Sequence, residues 1–267
     1  MDFSLAKIGA HILTTQAVLS PESRLMRLRL PFMLSFLLLG GCAVADAQVG
    51  REYKTDIDGF EYIEIVKGRD DGELPLLIAF HYSGGNPTET ISDYDDLRVP
   101  LRIILPKGNY KKRGGFSYFP VDYYQKDSLA QFDMAKVTID SIARFVMSVT
   151  TKYRQQAIVS GISQGGDIAF LLARYYPELL TASFPLAAVI NSRAIDGLGS
   201  KDVSRVPIYL FQGESDQIVS VATTRKRIDE MGGMLEIQLR TYPGVGHDIS
   251  SQMKMDYSNL IDQINGN

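Results

Sequence analysis

The sequence is poor in the residue types that carry thiol and disulfide chemistry. Its 267 residues include one cysteine, three histidines and no tryptophan. A single cysteine cannot form a disulfide within the chain, so a disulfide framework is excluded. That cysteine is Cys42, which belongs to the leader described below, so the rest of the chain offers no thiol nucleophile. Cysteine-dependent hydrolases are therefore excluded as well.

The chain also lacks a large excess of charge of one sign. Its formal net charge is −3, with 28 Lys and Arg against 31 Asp and Glu. The one basic cluster, Lys111-Lys112-Arg113, is typical of a solvated loop, so no nucleic-acid partner is expected. With 45% hydrophobic and 22% charged residues, the composition predicts a globular domain with one sizeable core.

The N-terminal region has the pattern of an export signal. A basic start at Met26-Arg27-Leu28-Arg29 precedes an apolar run from Leu30 to Leu39, which is too short to span a bilayer. The following Leu39-Gly40-Gly41-Cys42 resembles the bacterial lipoprotein cleavage box, in which Cys42 would carry a lipid. The alternative is free secretion after cleavage at Ala45-Asp46-Ala47, an ordinary small-residue site.

These features divide the chain into three parts. Residues 1–25 form an upstream extension, and Met26 is the predicted true start, because such extensions normally block recognition of a signal peptide. Residues 26–47 are the signal peptide, the lipid-attachment box and a short linker, and 48–267 form the folded domain. We expect an exported bacterial protein that is either lipid-anchored to a membrane, facing the periplasm or exterior, or free in the periplasm or medium.

Beyond Gly50, short apolar runs alternate with longer amphipathic ones, which predicts an α/β domain with a mostly parallel sheet flanked by helices. The predicted strands are Phe60 to Val66, Pro75 to His81, Leu101 to Pro106, Gln156 to Ser160, Ser183 to Ile190, Val206 to Gln212 and Leu235 to Tyr242. The predicted helices are Pro87 to Leu97, Gln131 to Tyr153, Gln164 to Tyr176, Val219 to Met231 and Ser250 to Ile264.

One motif combines a serine with flanking glycines at a predicted junction of strand and helix. It reads Gly161-Ile162-Ser163-Gln164-Gly165. A nucleophile elbow holds its serine on a strained turn, and small neighbours let the strand and helix backbones pass closely. Ser163 is therefore the candidate nucleophile.

A serine nucleophile needs a base, and the usual base is a histidine oriented by a carboxylate. His247 follows the last predicted strand in a glycine-rich loop and is the predicted base, whereas His81 ends an early strand and is predicted to be structural. Asp216 follows the strand Val206 to Gln212 and is the predicted carboxylate, since it gives the order serine, acid, histidine. Glu214, in the same turn, and Asp248, beside the histidine, are its competitors.

Taken together, four motifs resemble the phospholipase/carboxylesterase family of α/β-hydrolases, which includes acyl-protein thioesterases. They read His81-Tyr82-Ser83-Gly84, Gly161-Ile162-Ser163-Gln164-Gly165-Gly166, Gln212-Gly213-Glu214-Ser215-Asp216-Gln217-Ile218-Val219 and Tyr242-Pro243-Gly244-Val245-Gly246-His247. The resemblance covers about residues 75 to 265 and implies an α/β-hydrolase fold.

The same resemblance implies that the backbone amides of Ser83 and Gln164 form an oxyanion hole. Tyr82 stands where the family has glycine. Residues 107–128 are rich in aromatic side chains and form either a substrate-binding rim or a cover of the core. On the first interpretation Tyr82, Tyr118 and Phe119 would contact substrate.

The sequence therefore predicts a serine hydrolase of carboxylic esters or thioesters that acts through an acyl-enzyme. No metal or organic cofactor is implied, and the expected partner is a small-molecule or polymer-linked ester. A serine peptidase of the same fold is the enzymatic alternative. An exported binding lipoprotein without catalysis is the alternative from a different class, and an intact set of Ser163, Asp216 and His247 argues against it.

Overall fold

The computed structural model describes residues 48–49, 54–68, 73–196 and 204–265. The predictions for the upstream extension, the signal peptide and Cys42 lie outside the described residues. Within them, no helix combines the length and hydrophobicity needed to cross a bilayer.

The described strands and helices alternate along the chain as the hydrophobic pattern predicts. The strands are β1 Gln48–Val49, β2 Lys54–Ile57, β3 Phe60–Lys67, β4 Leu76–Phe80, β5 Leu101–Pro106, β6 Tyr110–Lys112, β7 Gly115–Ser117, β8 Ala157–Ile162, β9 Leu180–Leu186, β10 Ser204–Gly213 and β11 Leu235–Tyr242. The α-helices are α1 Ser128–Tyr153, α2 Gln164–Tyr175, α3 Val221–Glu230 and α4 Ser251–Asn265.

The main sheet has the strand order β1-β3-β5-β4-β8-β9-β10-β11, with β2 paired to β3 at one edge. The strands from β5 to β11 in this order run parallel, whereas β1, β2 and β3 join by antiparallel pairing. The prediction of a mostly parallel central sheet flanked by helices is confirmed.

Both faces of the parallel region are covered, which explains the continuous apolar runs in the sequence. All five residues of β4 are buried. Leu76, Ile78 and Phe80 belong to the cluster that α1 and α2 cover. Leu77 and Ala79 belong to the opposite cluster, which α4 covers. Successive side chains of a strand alternate between faces, so a strand between two helical layers has to be apolar throughout.

Two segments differ from the predictions. Pro87 to Leu97, predicted as a helix, forms only the 3-10 turn Ile91–Tyr94. Backbone N–H groups in this segment donate to the carbonyl of the third preceding residue, as in a 3-10 turn. The Thr90 hydroxyl also donates to the Pro87 carbonyl, so this side chain competes with backbone N–H groups for an acceptor that an α-helix would use. The strand predicted at Ser183 to Ile190 lies earlier, at Leu180–Leu186.

The parallel topology brings the predicted site residues to one edge of the sheet. Ser83 follows β4, Ser163 follows β8, Asp216 follows β10 and His247 follows β11. These are the carboxyl ends of parallel strands, where open α/β sheets bind their ligands.

Candidate active site

Ser163 occupies a strained turn between β8 and α2. Its backbone angles are φ 53° and ψ −113°, a region that non-glycine residues rarely adopt and that costs about 1–3 kcal/mol. The turn is held by neighbours on both sides, because the Ser163 N–H donates to the Leu186 carbonyl and its own carbonyl accepts from the Asp167 N–H. The predicted elbow is therefore present in its backbone geometry.

The glycines of the motif are required by close backbone contacts. A Cβ atom on Gly161 would overlap the backbone of Gly165, and one on Gly165 would overlap the carbonyl oxygen of Phe80. Any other residue at either position would force α2 away from β8 or β4. The glycine pattern thus reflects the passage of three backbone segments through one small space.

The structure brings Ser163, His247 and Asp216 together. The His247 Nε2 lies 3.0 Å from the Ser163 Oγ, and the His247 Nδ1 lies 2.8 Å from the Asp216 Oδ2. The Asp216 side chain is fully buried, whereas 19% of the His247 side chain is exposed. The imidazole can therefore accept the serine proton on one side while the carboxylate holds its Nδ1–H on the other.

The Asp216 carboxylate has hydrogen-bond donors on both oxygens. The backbone N–H groups of Ile218 and Val219 each donate to its Oδ1 at 2.8 Å, and the Gln212 Nε2 donates to its Oδ2 at 2.9 Å. Burial by itself raises the pKa of Asp216, but the Val219 N–H, the His247 ring and the Ile218 N–H lower it below its usual value. The group is thus held ionised, as the orienting carboxylate of a histidine must be.

The competing carboxylates lie elsewhere. Glu214 accepts a hydrogen bond from the Thr241 hydroxyl at 2.7 Å and is exposed. Asp248 is exposed and accepts from the adjacent Ile249 N–H at 2.7 Å. Among the described residues, Asp216 is the carboxylate that pairs with His247.

The two predicted oxyanion donors belong to different elements near Ser163. Gln164 is the first residue of α2, so its N–H has no intrahelical acceptor. Ser83 follows β4, which pairs directly with β8 in the register Phe80 to Gly161. Both Ser83 and Ser163 line the same cleft. The arrangement can present two donors to an oxyanion that forms at the serine.

His81 fixes the peptide unit that carries the Ser83 N–H. Its Nε2 accepts from the Gly108 N–H at 3.1 Å, so its Nδ1 carries the proton and donates to the Tyr82 carbonyl at 2.7 Å. In a trans peptide the carbonyl and the following N–H point in opposite directions, so holding the Tyr82 carbonyl also orients the Ser83 N–H. Burial lowers the pKa of His81 to about 4, which keeps the ring neutral.

Tyr82 fits this loop without backbone strain, although the family that the motifs resemble has glycine at this position. It is not among the residues of positive φ, and its side chain is 39% exposed. Its hydroxyl donates to the Glu89 carboxylate at 3.0 Å. The ring lines a cleft of about 780 Å³ that also contains Ser163 and His247. A substrate contact for Tyr82 is compatible with this position.

Tyr118 and Phe119 do not line that cleft, which corrects the expectation that they contact substrate. Their side chains are 2% and 0% exposed. The Tyr118 hydroxyl donates to the Pro106 carbonyl at 2.6 Å, and Phe119 stacks on Tyr123. Because this segment has no regular hydrophobic period, the sequence did not show which of its aromatic side chains are buried. Tyr118 and Phe119 belong to the cover of the core.

The basic cluster predicted to be a solvated loop lies partly at the cleft. Lys112 ends β6 and Arg113 follows it with a positive φ of 50°, and both line the cleft. The strands β6 and β7 form a hairpin that the sequence did not predict.

The side chains of two glutamines hold the site together, and the sequence analysis predicted neither side-chain role. Gln164 is fully buried, and its Oε1 accepts from the Tyr118 N–H at 2.8 Å and from the Ser117 hydroxyl at 3.2 Å. It thereby joins the start of α2 to the segment after β7. Gln212 donates to Asp216 and to the Val219 carbonyl. Both glutamines lie within the motifs of Ser163 and Asp216, and this position was the one sign in the sequence that they belong to the site.

Within the described ranges, no group of three or more His, Cys, Asp or Glu side chains could hold a metal ion.

This fold and site define an α/β-hydrolase, and comparisons with solved structures agree. The fold is similar to the crystal structure of a carboxylesterase from Mesorhizobium loti, with a TM-score of 0.64 and 14% identity over 79% of this chain and 97% of that one. It is also similar to SOBER1 from Arabidopsis thaliana, with a TM-score of 0.60 and 15% identity over 71% of this chain and 98% of that one.

The family is shown by sequence. Residues 110–259, more than half of the chain, match the model of the dienelactone hydrolase family, and the chain belongs to that family. A curated relative, protein usf from Aquifex pyrophilus, is 23% identical over 191 residues, which cover 65% of this chain and 80% of the relative. The chain is thus a carboxylic ester hydrolase, which confirms the enzyme class and the α/β-hydrolase fold predicted from the sequence. The sequence motifs resembled the phospholipase/carboxylesterase family, whereas the family that matches is that of the dienelactone hydrolases. Both have the α/β-hydrolase fold that the resemblance implied.

Proposed function

We propose that the protein is a serine esterase that works through a covalent acyl-enzyme, with Ser163 as nucleophile, His247 as base and Asp216 as orienting acid. The observation that carries this proposal is the imidazole bonded on both sides, at 3.0 Å to the serine hydroxyl and 2.8 Å to the carboxylate. Such a pair of bonds fixes the tautomer that can accept the serine proton.

In the first half-reaction the Ser163 Oγ bonds to the acyl carbon while its proton passes to the His247 Nε2. The negative charge that develops on the substrate oxygen is stabilised by the N–H groups of Ser83 and Gln164. Collapse of this intermediate breaks the bond to the alcohol, which leaves with the proton from Nε2. Asp216 stabilises the imidazolium while it exists.

In the second half-reaction a water molecule takes the place of the alcohol. His247 accepts a proton from water as the water oxygen bonds to the acyl carbon, and it returns the proton to Ser163 when the acyl bond to the serine breaks. The products are a carboxylic acid and the free enzyme. Neither half-reaction calls for a redox step.

Hydrolysis of p-nitrophenyl acetate and butyrate, together with labelling by a fluorophosphonate probe, tests the proposal. Ser163→Ala should abolish labelling and lower turnover by roughly 10⁴-fold or more, because the three residues act as a unit. The matched control is Ser251→Ala, at an exposed serine at the start of α4, which should keep wild-type activity. Labelling that survives Ser163→Ala would identify a different nucleophile, and cleavage of peptide amides in preference to esters would indicate a peptidase.

We also propose that the enzyme is exported and anchored to a bacterial membrane by a lipid on Cys42, on the basis of the basic, apolar and Leu39-Gly40-Gly41-Cys42 segments of the leader. Cys42→Ser should abolish incorporation of labelled palmitate and release the protein from the membrane fraction. An unchanged distribution between membrane and soluble fractions would contradict the anchor and favour ordinary secretion.

A further inference from the structure

A second, smaller cavity adjoins the cleft that contains Ser163. It has a volume of about 220 Å³ and lies between α1, α2 and the segments that follow β9 and β10. We call it the side chamber. Three residues, Tyr124, Val189 and Ile218, line both the side chamber and the cleft. The cleft and the side chamber therefore share part of their walls.

The walls of the side chamber suit a flat ring. Tyr123, Phe132 and Phe170 supply aromatic surface, and Leu171 supplies aliphatic surface. An apolar cavity of about 150 Å³ is enough to bind benzene, so the side chamber has room for a substituted ring.

Most polar groups of the side chamber are already engaged within the protein. The Gln131 amide donates to the Lys126 carbonyl, the Asn191 side-chain oxygen accepts from the Arg193 N–H, and the Tyr124 hydroxyl accepts from Gln164. These groups orient the walls and need no ligand.

Asp167 differs from these three groups. It lines the side chamber from the first turn of α2 and is only 6% exposed. Within the described residues it receives a single hydrogen bond, from the Val189 N–H to its Oδ1 at 2.5 Å, and it forms no ion pair. Burial raises the pKa of Asp167 well above its usual value, against the opposing effect of the Val189 N–H. In either protonation state the carboxyl can accept a further hydrogen bond.

A largely buried carboxyl with a single hydrogen bond has acceptor capacity left over, and a ligand that bonds to it makes use of that capacity. A ligand that matches both features has an aromatic ring for the walls and a neutral hydroxyl for the carboxyl. We propose that the side chamber binds a hydroxyaryl group of the ester substrate and that Asp167 bonds to its hydroxyl. This inference rests on the proposed serine esterase chemistry, because it requires an ester bound at Ser163 to extend one end past the shared wall into the side chamber.

Two pairs of esters test the inference and show which end of the substrate enters the side chamber. Methyl 4-hydroxycinnamate and methyl cinnamate differ by the hydroxyl on the acyl side, and 4-hydroxyphenethyl acetate and phenethyl acetate differ by it on the alcohol side. For one pair, kcat/KM of the wild type should be higher for the hydroxylated ester by roughly tenfold, the effect of one additional hydrogen bond.

Variants of Asp167 then locate the contact. Asp167→Leu should bring the ratio of kcat/KM for the hydroxylated ester to kcat/KM for its unsubstituted partner to about one. Asp167→Asn keeps an acceptor for the Val189 N–H and a donor for the ligand, so its ratio should stay above one. The matched control is Asp133→Asn, at an exposed carboxylate on α1, which should leave the ratio at its wild-type value. A purely structural role of Asp167 would change both members of a pair equally, so the ratio distinguishes the two roles.

A wild-type ratio of one for both pairs, or a ratio that Asp167→Leu leaves unchanged, would overturn the inference. The wild-type ratio decides the question even where Asp167→Leu does not fold. Turnover of p-nitrophenyl acetate and fluorophosphonate labelling of the wild type report on Ser163 independently. If both occur without discrimination between the paired esters, only the side-chamber inference fails; if neither occurs, the serine esterase proposal fails.

Discussion

Protonation of His81 should destabilise the protein in mildly acidic solution. The Nε2 atom of the buried ring accepts from the Gly108 N–H, and its Nδ1–H donates to the Tyr82 carbonyl. Protonation would replace the lone pair of Nε2 by an N–H that points at the Gly108 N–H, so this hydrogen bond would be lost. Burial lowers the pKa of His81 from 6.5 to about 4. The unfolded chain therefore takes up a proton near pH 6.5 that the folded protein resists until about pH 4.

The size of this effect follows from the difference between the two pKa values. Between pH 6.5 and 4 the unfolded state binds more protons than the folded state, so the free energy of unfolding falls as pH falls. A gap of about 2.5 units corresponds to about 3 kcal/mol, since each unit is worth about 1.4 kcal/mol. This contribution is fully present above pH 6.5 and is lost by about pH 4.

His81→Gln tests the origin of this loss, because a glutamine amide can replace both bonds without titrating. Urea unfolding followed by circular dichroism at pH 7, 6, 5 and 4 gives the free energy of unfolding of each protein. The variant should lose about 3 kcal/mol less than the wild type between pH 7 and pH 4. Carboxylates titrate in both proteins and cancel in the difference. Parallel curves for the two proteins would refute the assignment of the acid sensitivity to His81.

Three further predictions address the elbow and the carboxylate. Gly165→Ala should destabilise the protein by about 3 kcal/mol or more in urea unfolding, because its Cβ would overlap a backbone carbonyl, whereas Gly246→Ala meets no atom within 4 Å and should cost far less. Asp216→Asn should lower ester turnover by roughly 10⁴-fold while Glu214→Gln keeps most of it, and the reverse ranking would reassign the acid. Gln212→Leu should lower kcat roughly tenfold with little change in KM, since it removes a donor that orients the carboxylate; an effect on KM alone would contradict this positioning role.

The central strands could be predicted from the sequence because burial on both faces leaves an unbroken apolar signal, and the long helices because one buried side leaves a period of about 3.6 residues. The strand Leu101 to Pro106 was predicted with the bounds that the structure has, and so was Leu235 to Tyr242. The start of α1 was predicted three residues late, at Gln131 instead of Ser128, because the helix begins with the polar cap of Asp127. A cap is a local hydrogen bond and leaves no hydrophobic period to recognise.

The hairpin β6 to β7 could not be predicted in the same way. Each of its strands has three residues, too few to show an alternation. Its position depends on contacts far away in sequence, the bridge between Gly85 and Phe116 and the bond from the Tyr118 N–H to Gln164. Periodicity reports on burial within one segment, and it carries no information on a pairing between segments.

The two predicted oxyanion donors come from distant parts of the chain, and one backbone contact explains how they meet. Gly165, one residue after Gln164, lies against the carbonyls of Phe80 and His81, the last residues before the loop that carries Ser83. The start of α2 and the end of β4 therefore approach each other closely, which brings the segments that carry the two predicted donors together. His81 then orients one donor through the Tyr82 carbonyl, and the helix geometry orients the other. A side chain at position 165 would separate the two donors without touching Ser163, so the glycine is as necessary to the proposed oxyanion hole as the donors themselves.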